Sequence, residues 1–533
     1  MNRKLALTCL FAAAFVLGAC GGSNGGADNS ASQEQTLNTS RKIIKASLSK
    51  TIVEAGSSSQ VVTDLEGATY RSSNEGVATV GADGKIRTED PGMTYITVSK
   101  EGYYDRVLKL FVEEYDTVDY LVEGFEFGPA IVGVKLNFPA KVKKSDLAGK
   151  QFAVKTNKTA RTIESVVLCD VEGQPIDAEE SNYVRINLKF SSNSWGAGNE
   201  CAVFTYNNVN TWKKDITVEA GLASGQTLTV GDDTYTDARK FPVKSRIILS
   251  TKDWGEGKKH TAEGFTLSYK GYETDAMRED EVLNPLVIWL HGQGEGGTDP
   301  DIALLGNDVT ALGEEKIQSH FVKGKQKGAY VLAVQTPTMW MDDGSGKNNG
   351  GYARSIYTKS LKATIDTYIA ENGDIDPNRI YIGGCSNGGY MTMEMAISYG
   401  KFFRAYYPTC EAFSDSIVTD EHIEQLKDLS MWFIHASNDT TVNPKNFTIP
   451  TYQRLAKAGA KDLHFSYFTD VRGTDGNPNG NNYQGHYSWI YIFRDEVEMD
   501  QADPENITVP SNTPVKDAEG NKMNLFDWME AKK

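Results

Sequence analysis

The sequence predicts a multidomain chain: two N-terminal all-β sandwiches, then a mostly parallel α/β sheet with helices on both faces. Three observations carry that expectation. From about residue 43 to 243, short alternating or β-branched runs are separated by turn residues, with no helical period between them. After about residue 244, continuous apolar runs such as "PLVIWLHG", "YVLAVQTP" and "MWFIHAS" alternate with helical stretches, as expected of strands covered on both faces. A length of 533 residues is too great for one ordinary core.

Hydrophobic residues at 39% and charged residues at 24% suit folded matter. The net charge of −16 argues against a nucleic-acid partner, which needs a basic surface. Residues 1–20 read as a targeting segment. Arg3 and Lys4 precede an apolar run from Leu5 to Leu17, and Leu17-Gly18-Ala19-Cys20 ends it with small residues. This resembles a bacterial lipoprotein signal, which implies a lipid on Cys20, a membrane link through that anchor alone, and a cell-envelope location. Residues 21–42 read as a flexible Gly/Ser/Asn/Asp linker.

Residues 43–113 are expected to form the first sandwich. "GVATVGADGKIRT" alternates around an Asp83-Gly84 turn, and "MTYITVSK" follows as another strand. The stretch from Tyr70 to Val98 resembles the bacterial immunoglobulin-like domain of group 2. Residues 114–243 form the second expected sandwich, on "IVGVKLNF", "SVVLCDV", "YVRINLKF" and "KDITVEA". Cys169 with Cys201, and Cys385 with Cys410, are possible disulfides, and free thiols are equally compatible with the spacing.

Residues 244–533 are the expected α/β domain. Between "YVLAVQTP" and "RIYIGG", Leu361, Ile365, Tyr368 and Ile369 share one helical face. The Gly-x-Ser-x-Gly pattern occurs twice. In "GGSNGG", residues 21–26, it sits in the linker with no strand before it. In "GCSNGG", residues 384–389, it lies between the strand "RIYI" and the helical stretch from Tyr390 to Tyr399. Strand, tight turn and helix make the second match a nucleophile elbow, exposing the Ser386 hydroxyl. A serine needs a base, and the base an orienting acid. In chain order after Ser386, Asp439 follows the strand "MWFIHAS" and His486 lies in the loop "GHYSW". Asp470 and Glu411 are reserve acids. His435 and His464 lie within strands and read as core, and His291 reads as a brace for its own turn. Backbone N–H groups of Asn387 and Gln293, the latter in "WLHGQGEGG", are expected to hold an oxyanion.

"HGQGEGGTD", "GCSNGG", "HASNDTTV" and "GHYSW", in that order, resemble the polyhydroxybutyrate-depolymerase-like esterases of the α/β-hydrolase fold. Their relatives include feruloyl and acetyl-xylan esterases, and some carry an immunoglobulin-like domain whose start is similar to "GPAIVGVKLNFPAKVKKSDLAGKQFAV". The resemblance implies Ser386 as nucleophile, Asp439 as acid and His486 as base. It also implies an ester substrate, most simply an acetyl or feruloyl ester of plant polysaccharide, and no cofactor. "LFDWM" is similar to the family's closing helix, and Met499 to Lys522 reads as an insertion. Trp340, in the loop after "YVLAVQTP", and Trp489, beside His486, are expected to wall the substrate pocket. "DGNPNG", residues 475–480, starts like a calcium loop, but His486 stands where a bidentate Glu is required, so a hydrated turn is expected and no metal. A serine peptidase of the same fold and a non-catalytic surface adhesin are the competing readings.

Overall fold

A computed structural model describes residues 41–189, 200–474 and 482–532. The signal, Cys20, the linker up to residue 40 and the "DGNPNG" segment lie outside the described residues, while Lys42, expected in the linker, pairs with Tyr103 in a short strand. No helix among those described is long and apolar enough to cross a membrane.

Two four-stranded sheets build the first sandwich. One is ordered Ile52–Glu54, Arg106–Glu113, Gly92–Ser99, Thr69–Ser72, and the other Ser47–Leu48, Ser58–Val62, Lys85–Thr88, Ala78–Val80. Alternation along each strand sends Ile86, Ile96, Val98, Leu110 and Val112 into a shared core. The Asp83-Gly84 turn joins Ala78–Val80 to Lys85–Thr88, with Gly84 at φ 74° where a side chain would be strained.

Five strands form the larger sheet of the next region, in the order Ile163–Cys169, Glu180–Leu188, Ala130–Lys143, Thr117–Glu123, Val243–Ile248. The three-stranded partner sheet contains Phe152–Thr156 between Thr159–Ala160 and Val218–Leu222. Val243–Ile248 pairs in parallel with Thr117–Glu123, so this sheet runs past the expected boundary at residue 243. A separate hairpin, Phe204–Asn207 with Val209–Trp212, projects from this region and turns at Asn208, φ 64°. Cys169, Cys385 and Cys410 are buried free thiols, so neither disulfide pairing is present.

The α/β domain is organised on one eight-stranded sheet. Its strands are β1 (Lys258–Ala262), β2 (Phe265–Tyr272), β3 (Asn284–Leu290), β4 (Tyr330–Gln335), β5 (Ile375–Cys385), β6 (Ala405–Thr409), β7 (Met431–Ala436) and β8 (Leu463–Phe468). The spatial order is β1-β2-β4-β3-β5-β6-β7-β8. β1 and β2 form an antiparallel hairpin, β2 meets β4 antiparallel, and the remaining pairs are parallel. The connecting helices include α1 (Pro300–Leu305), α2 (Thr358–Glu371), α3 (Asn387–Tyr399), α4 (Asp420–Leu426) and α5 (Thr448–Lys457). α6 (Leu525–Glu530) closes the described chain.

β3 shows why the apolar runs are unbroken. Leu286, Ile288 and Leu290 enter one core, while Val287 and Trp289 enter another on the opposite face. The second of these cores also takes in Phe127, Ala130 and Cys201 from the neighbouring sandwich, so apolar burial continues across the junction. Leu361, Ile365 and Tyr368 of α2 are buried, and Ile369 packs beside them, as the helical period requires.

α6 is pinned by charge as well as packing. His320 places its two ring nitrogens 2.8 Å from Asp527 and 2.8 Å from Asp495. Two carboxylate acceptors call for two N–H donors, hence an imidazolium. The hydrogen bond to Asp495, opposed by burial and helped by Asp527, pushes its pKa up to about 9. A raised folded-state pKa contributes stability that is fully present below the ordinary histidine value and is lost as pH rises through about 9. The melting temperature is therefore expected to fall between pH 7 and pH 10, with a shallower fall in His320→Gln, as checked by thermal scans across that range.

Candidate active site

Ser386 stands between β5 and α3 at φ 57°, ψ −112°, a conformation costly for any residue with a side chain. The turn holds it there by two backbone hydrogen bonds. Ser386 N–H donates to Thr409 C=O at 2.9 Å, and Tyr390 N–H donates to Ser386 C=O at 2.8 Å. The flanking glycines are needed for close approach to β3. A Cβ on Gly384 would lie 2.3 Å from the Leu290 carbonyl oxygen, and one on Gly388 only 1.9 Å from it. The residue types around "GCSNGG" thus follow from a strand, a sharp corner and a helix crowded against the next strand.

His486 occupies a single 3-10 turn, Gly485–Tyr487. Its Nδ1 donates to Asp439 Oδ2 at 2.7 Å. Asp439 follows β7 in a turn closed by its own N–H donating to Ala436 C=O, and only 4% of it is exposed. Its other oxygen, Oδ1, accepts from Thr441 N–H at 2.8 Å and Val442 N–H at 2.9 Å. A second histidine, His435, brings Nε2 to 3.0 Å from Asp439 Oδ2. Burial opposes ionisation, but the hydrogen bonds from His435 and then His486 prevail, and the carboxyl stays well below the usual range. Gly485 allows the two loops to meet: a Cβ there would lie 2.2 Å from Asn438 Oδ1 and 2.4 Å from Asp439 N.

Ser386 and His486 line one cleft of about 1130 Å³ at the carboxyl ends of the strands. Trp489 lines it too, edge-on to His486 with ring centroids 5.8 Å apart. Trp340 is placed elsewhere. It is fully buried, packed 5.2 Å from the His291 ring and 6.3 Å from Tyr357, and it does not line the cleft. His291 is indeed a brace. Its Nδ1 bonds the Gly292 carbonyl, its Nε2 accepts from Thr336 N–H at 3.1 Å, and burial pushes its pKa down to about 4.

Gln293 begins the 3-10 turn Gln293–Glu295 and lines the cleft, with its side-chain oxygen accepting from Asn348 Nδ2 at 2.6 Å. Asn387 is the first residue of α3, where a backbone N–H has no partner within the helix. Its side-chain oxygen accepts from Met341 N–H at 3.1 Å, which fixes the turn. The helix end favours negative charge beside Ser386. Cys385, next to the serine, is fully buried, and desolvation raises its pKa well above the ordinary thiol value, which makes it a packed side chain and a poor nucleophile. Asp470 pairs with Arg472 at 2.9 Å, and Glu411 is buried against α5, so neither reserve acid contacts His486.

The other wall of the cleft comes from the second sandwich, through Phe204, Tyr206, Asn210, Lys213, Asn157 and Lys158. The projecting hairpin reaches the α/β domain at two points. Asn210 Nδ2 donates to Glu295 Oε1 at 3.1 Å, and Trp212 Nε1 donates to Asp299 Oδ2 at 2.7 Å. Burial pushes the Glu295 carboxyl up to about 7, with the Asn210 hydrogen bond opposing. Tyr206 at the hairpin tip is 63% exposed, an aromatic face presented to whatever enters. The sequence reading missed this wall and the His435 contact. Signals existed for both: "FTYNNVNTW" clusters aromatics around an Asn-Asn turn, and a histidine inside a buried strand must find a partner.

Ser386 and His486, the latter backed by an ionised carboxylate, thus share one cleft beside the N-terminus of α3. Comparisons with known proteins agree with the fold. Residues 117–227 match a family described as esterase Ig-like N-terminal domain, and residues 277–472 match one described as phospholipase/carboxylesterase. A protein named probable carboxylesterase SOBER1-like, from Arabidopsis thaliana, is 26% identical over 181 residues, covering 32% of this chain and 66% of that protein. A solved structure described as a thermostable esterase superposes with a TM-score of 0.57 at 22% identity, over 71% of this chain and 96% of that one.

Gly485→Ala is expected to push the loop of His486 away from Asp439. It should cost at least about tenfold in ester hydrolysis by folded protein, the loss of one charge-assisted hydrogen bond. Activity per folded molecule, with folding checked by near-ultraviolet circular dichroism, measures it.

Proposed function

We propose that this serine esterase releases acetyl or feruloyl groups from plant polysaccharide or oligosaccharide esters. The carrying observation is the shared cleft. Ser386 and His486 open onto a space of about 1130 Å³, far larger than a simple acetyl ester requires, walled by aromatic and amide side chains. Aromatic faces with flanking amides suit sugar rings, whose C–H faces are apolar and whose hydroxyls need hydrogen bonds.

In the proposed mechanism His486 Nε2 takes the Ser386 proton as the oxygen attacks the ester carbonyl. Asp439 holds the imidazolium through Nδ1, 2.7 Å away. Backbone N–H groups of Asn387 and Gln293 carry the oxyanion, each worth about 3 kcal/mol at the barrier. The alcohol leaves with the proton from His486, and water, activated the same way, releases the acid. Lipid on Cys20 would hold the enzyme at the cell envelope, within reach of insoluble substrate. Loss of labelled palmitate incorporation in Cys20→Ala checks that anchor.

Ser386→Ala is expected to lower kcat by about a thousandfold or more on p-nitrophenyl acetate. Wild-type protein should release acetate or ferulate from xylan fragments and leave peptide anilides intact. Peptide cleavage without ester cleavage overturns the reading in favour of a peptidase, and an inert wild type favours the adhesin. Tyr206→Ala should raise KM for xylan fragments by about threefold to tenfold, with p-nitrophenyl acetate turnover unchanged, as one stacking contact is lost.

A further inference from the structure

Behind Asp439 lies a row of buried polar side chains that the proposed mechanism does not use. His435 is wholly buried on β7, Thr448 is wholly buried at the start of α5, and Glu411 is 1% exposed after β6. His435 Nε2 lies 3.0 Å from both Asp439 Oδ2 and the Val442 carbonyl. His435 Nδ1 lies 2.9 Å from Thr448 Oγ1, which lies 3.0 Å from Glu411 Oε1. The other Glu411 oxygen accepts from Phe413 N–H at 2.6 Å. The titratable groups facing this row are His486 and Cys410 near Asp439, and Asp415 beyond Glu411.

Donor counting, together with the full burial of His435 and Glu411, places the protons. Both partners of His435 Nε2 are acceptors, so Nε2 carries a hydrogen. Burial lowers the His435 pKa, which leaves the ring neutral and Nδ1 bare. A bare Nδ1 must accept, and the Thr448 hydroxyl is the donor facing it. The Thr448 oxygen then has no hydrogen left for Glu411 Oε1. Two oxygens 3.0 Å apart need one between them, so the hydrogen sits on the carboxyl. Burial pushes the Glu411 pKa up to about 8, in keeping with that count.

We propose that Glu411, Thr448 and His435 are positioning residues for Asp439, forming a neutral row in which a protonated Glu411 donates to Thr448, Thr448 donates to His435, and His435 donates its one N–H to the carboxylate that holds His486. The proposal rests on Asp439 being the acid partner of His486. A neutral donor supports the carboxylate without adding a positive charge 3.0 Å from the oxygen that must stabilise the His486 imidazolium. The alternative with ionised Glu411 and His435 imidazolium contains the same number of protons but would compete with that cation.

The test compares Glu411→Gln, Thr448→Val and His435→Phe in kcat, KM and the acid limb of kcat/KM, with Ser386→Ala alongside. A glutamine amide can donate to Thr448 and accept from Phe413, so Glu411→Gln is expected to keep kcat and the acid limb within about twofold. His435→Phe removes the donor and is expected to lower kcat by about tenfold to a hundredfold, with KM steady and the acid limb moved to higher pH. Thr448→Val is expected to lower kcat by about threefold to tenfold, and it decides the matter if His435→Phe does not fold. Nitrogen-15 spectra of histidine-labelled protein should show a neutral ring protonated at Nε2 that disappears in His435→Phe. A Glu411→Gln variant that folds yet loses tenfold activity or shifts the acid limb overturns the neutral row. So do wild-type kinetics in His435→Phe. Wild-type activity in Ser386→Ala overturns the triad reading instead, which separates the two failures.

Discussion

One buried carboxylate organises the site. Asp439 accepts four hydrogen bonds, two from backbone N–H groups and two from imidazoles, at 2.7 to 3.0 Å. A carboxylate has about four lone-pair directions, so none is left for water. Full satisfaction is what lets an ion persist at 4% exposure, since an unpaired buried charge would neutralise itself. The same ion fixes the tautomer of His486: with Nδ1–H committed to Asp439, the neutral ring leaves Nε2 without a hydrogen. A neighbouring loop must come within backbone contact for this to happen, and Gly485 is the residue that permits it.

The cleft is a property of two domains. β3, β5 and the loop after β8 bring Gln293, Ser386 and His486 to one rim, but the facing wall belongs to the preceding sandwich. The hairpin is held there by specific polar contacts: Asn210 on Glu295, and Trp212 on Asp299 with Arg246 stacked 3.3 Å over its ring. Glu295 lies in the same glycine-rich turn as Gln293. The domain junction and the proposed oxyanion donor therefore share one short piece of chain. The cleft that holds Ser386 is therefore bounded by both domains.

Much of this was legible along the chain. The unbroken apolar runs became the central strands, because each is covered on both faces. The elbow at Ser386 was readable because its strand, corner and helix are contiguous, and each leaves a local signature of β-branched residues, glycines and helical period. Chain order and loop setting singled out Asp439 and His486, which the structure joins by a 2.7 Å hydrogen bond. Trp340 was misleading for a physical reason. An aromatic in a long loop beside a site can face the ligand or the core, and here it packs on His291 and Tyr357.

Sequence alone determined the layered architecture and the residue types at the strand ends, because periodicity and turn chemistry are local. Tertiary structure alone decided that His435 turns towards Asp439, that Glu411 and Thr448 stand behind it, and that a hairpin from another domain closes the cleft. Those contacts join residues far apart in the chain, and their energies depend on distances and burial that exist only once the strands are side by side.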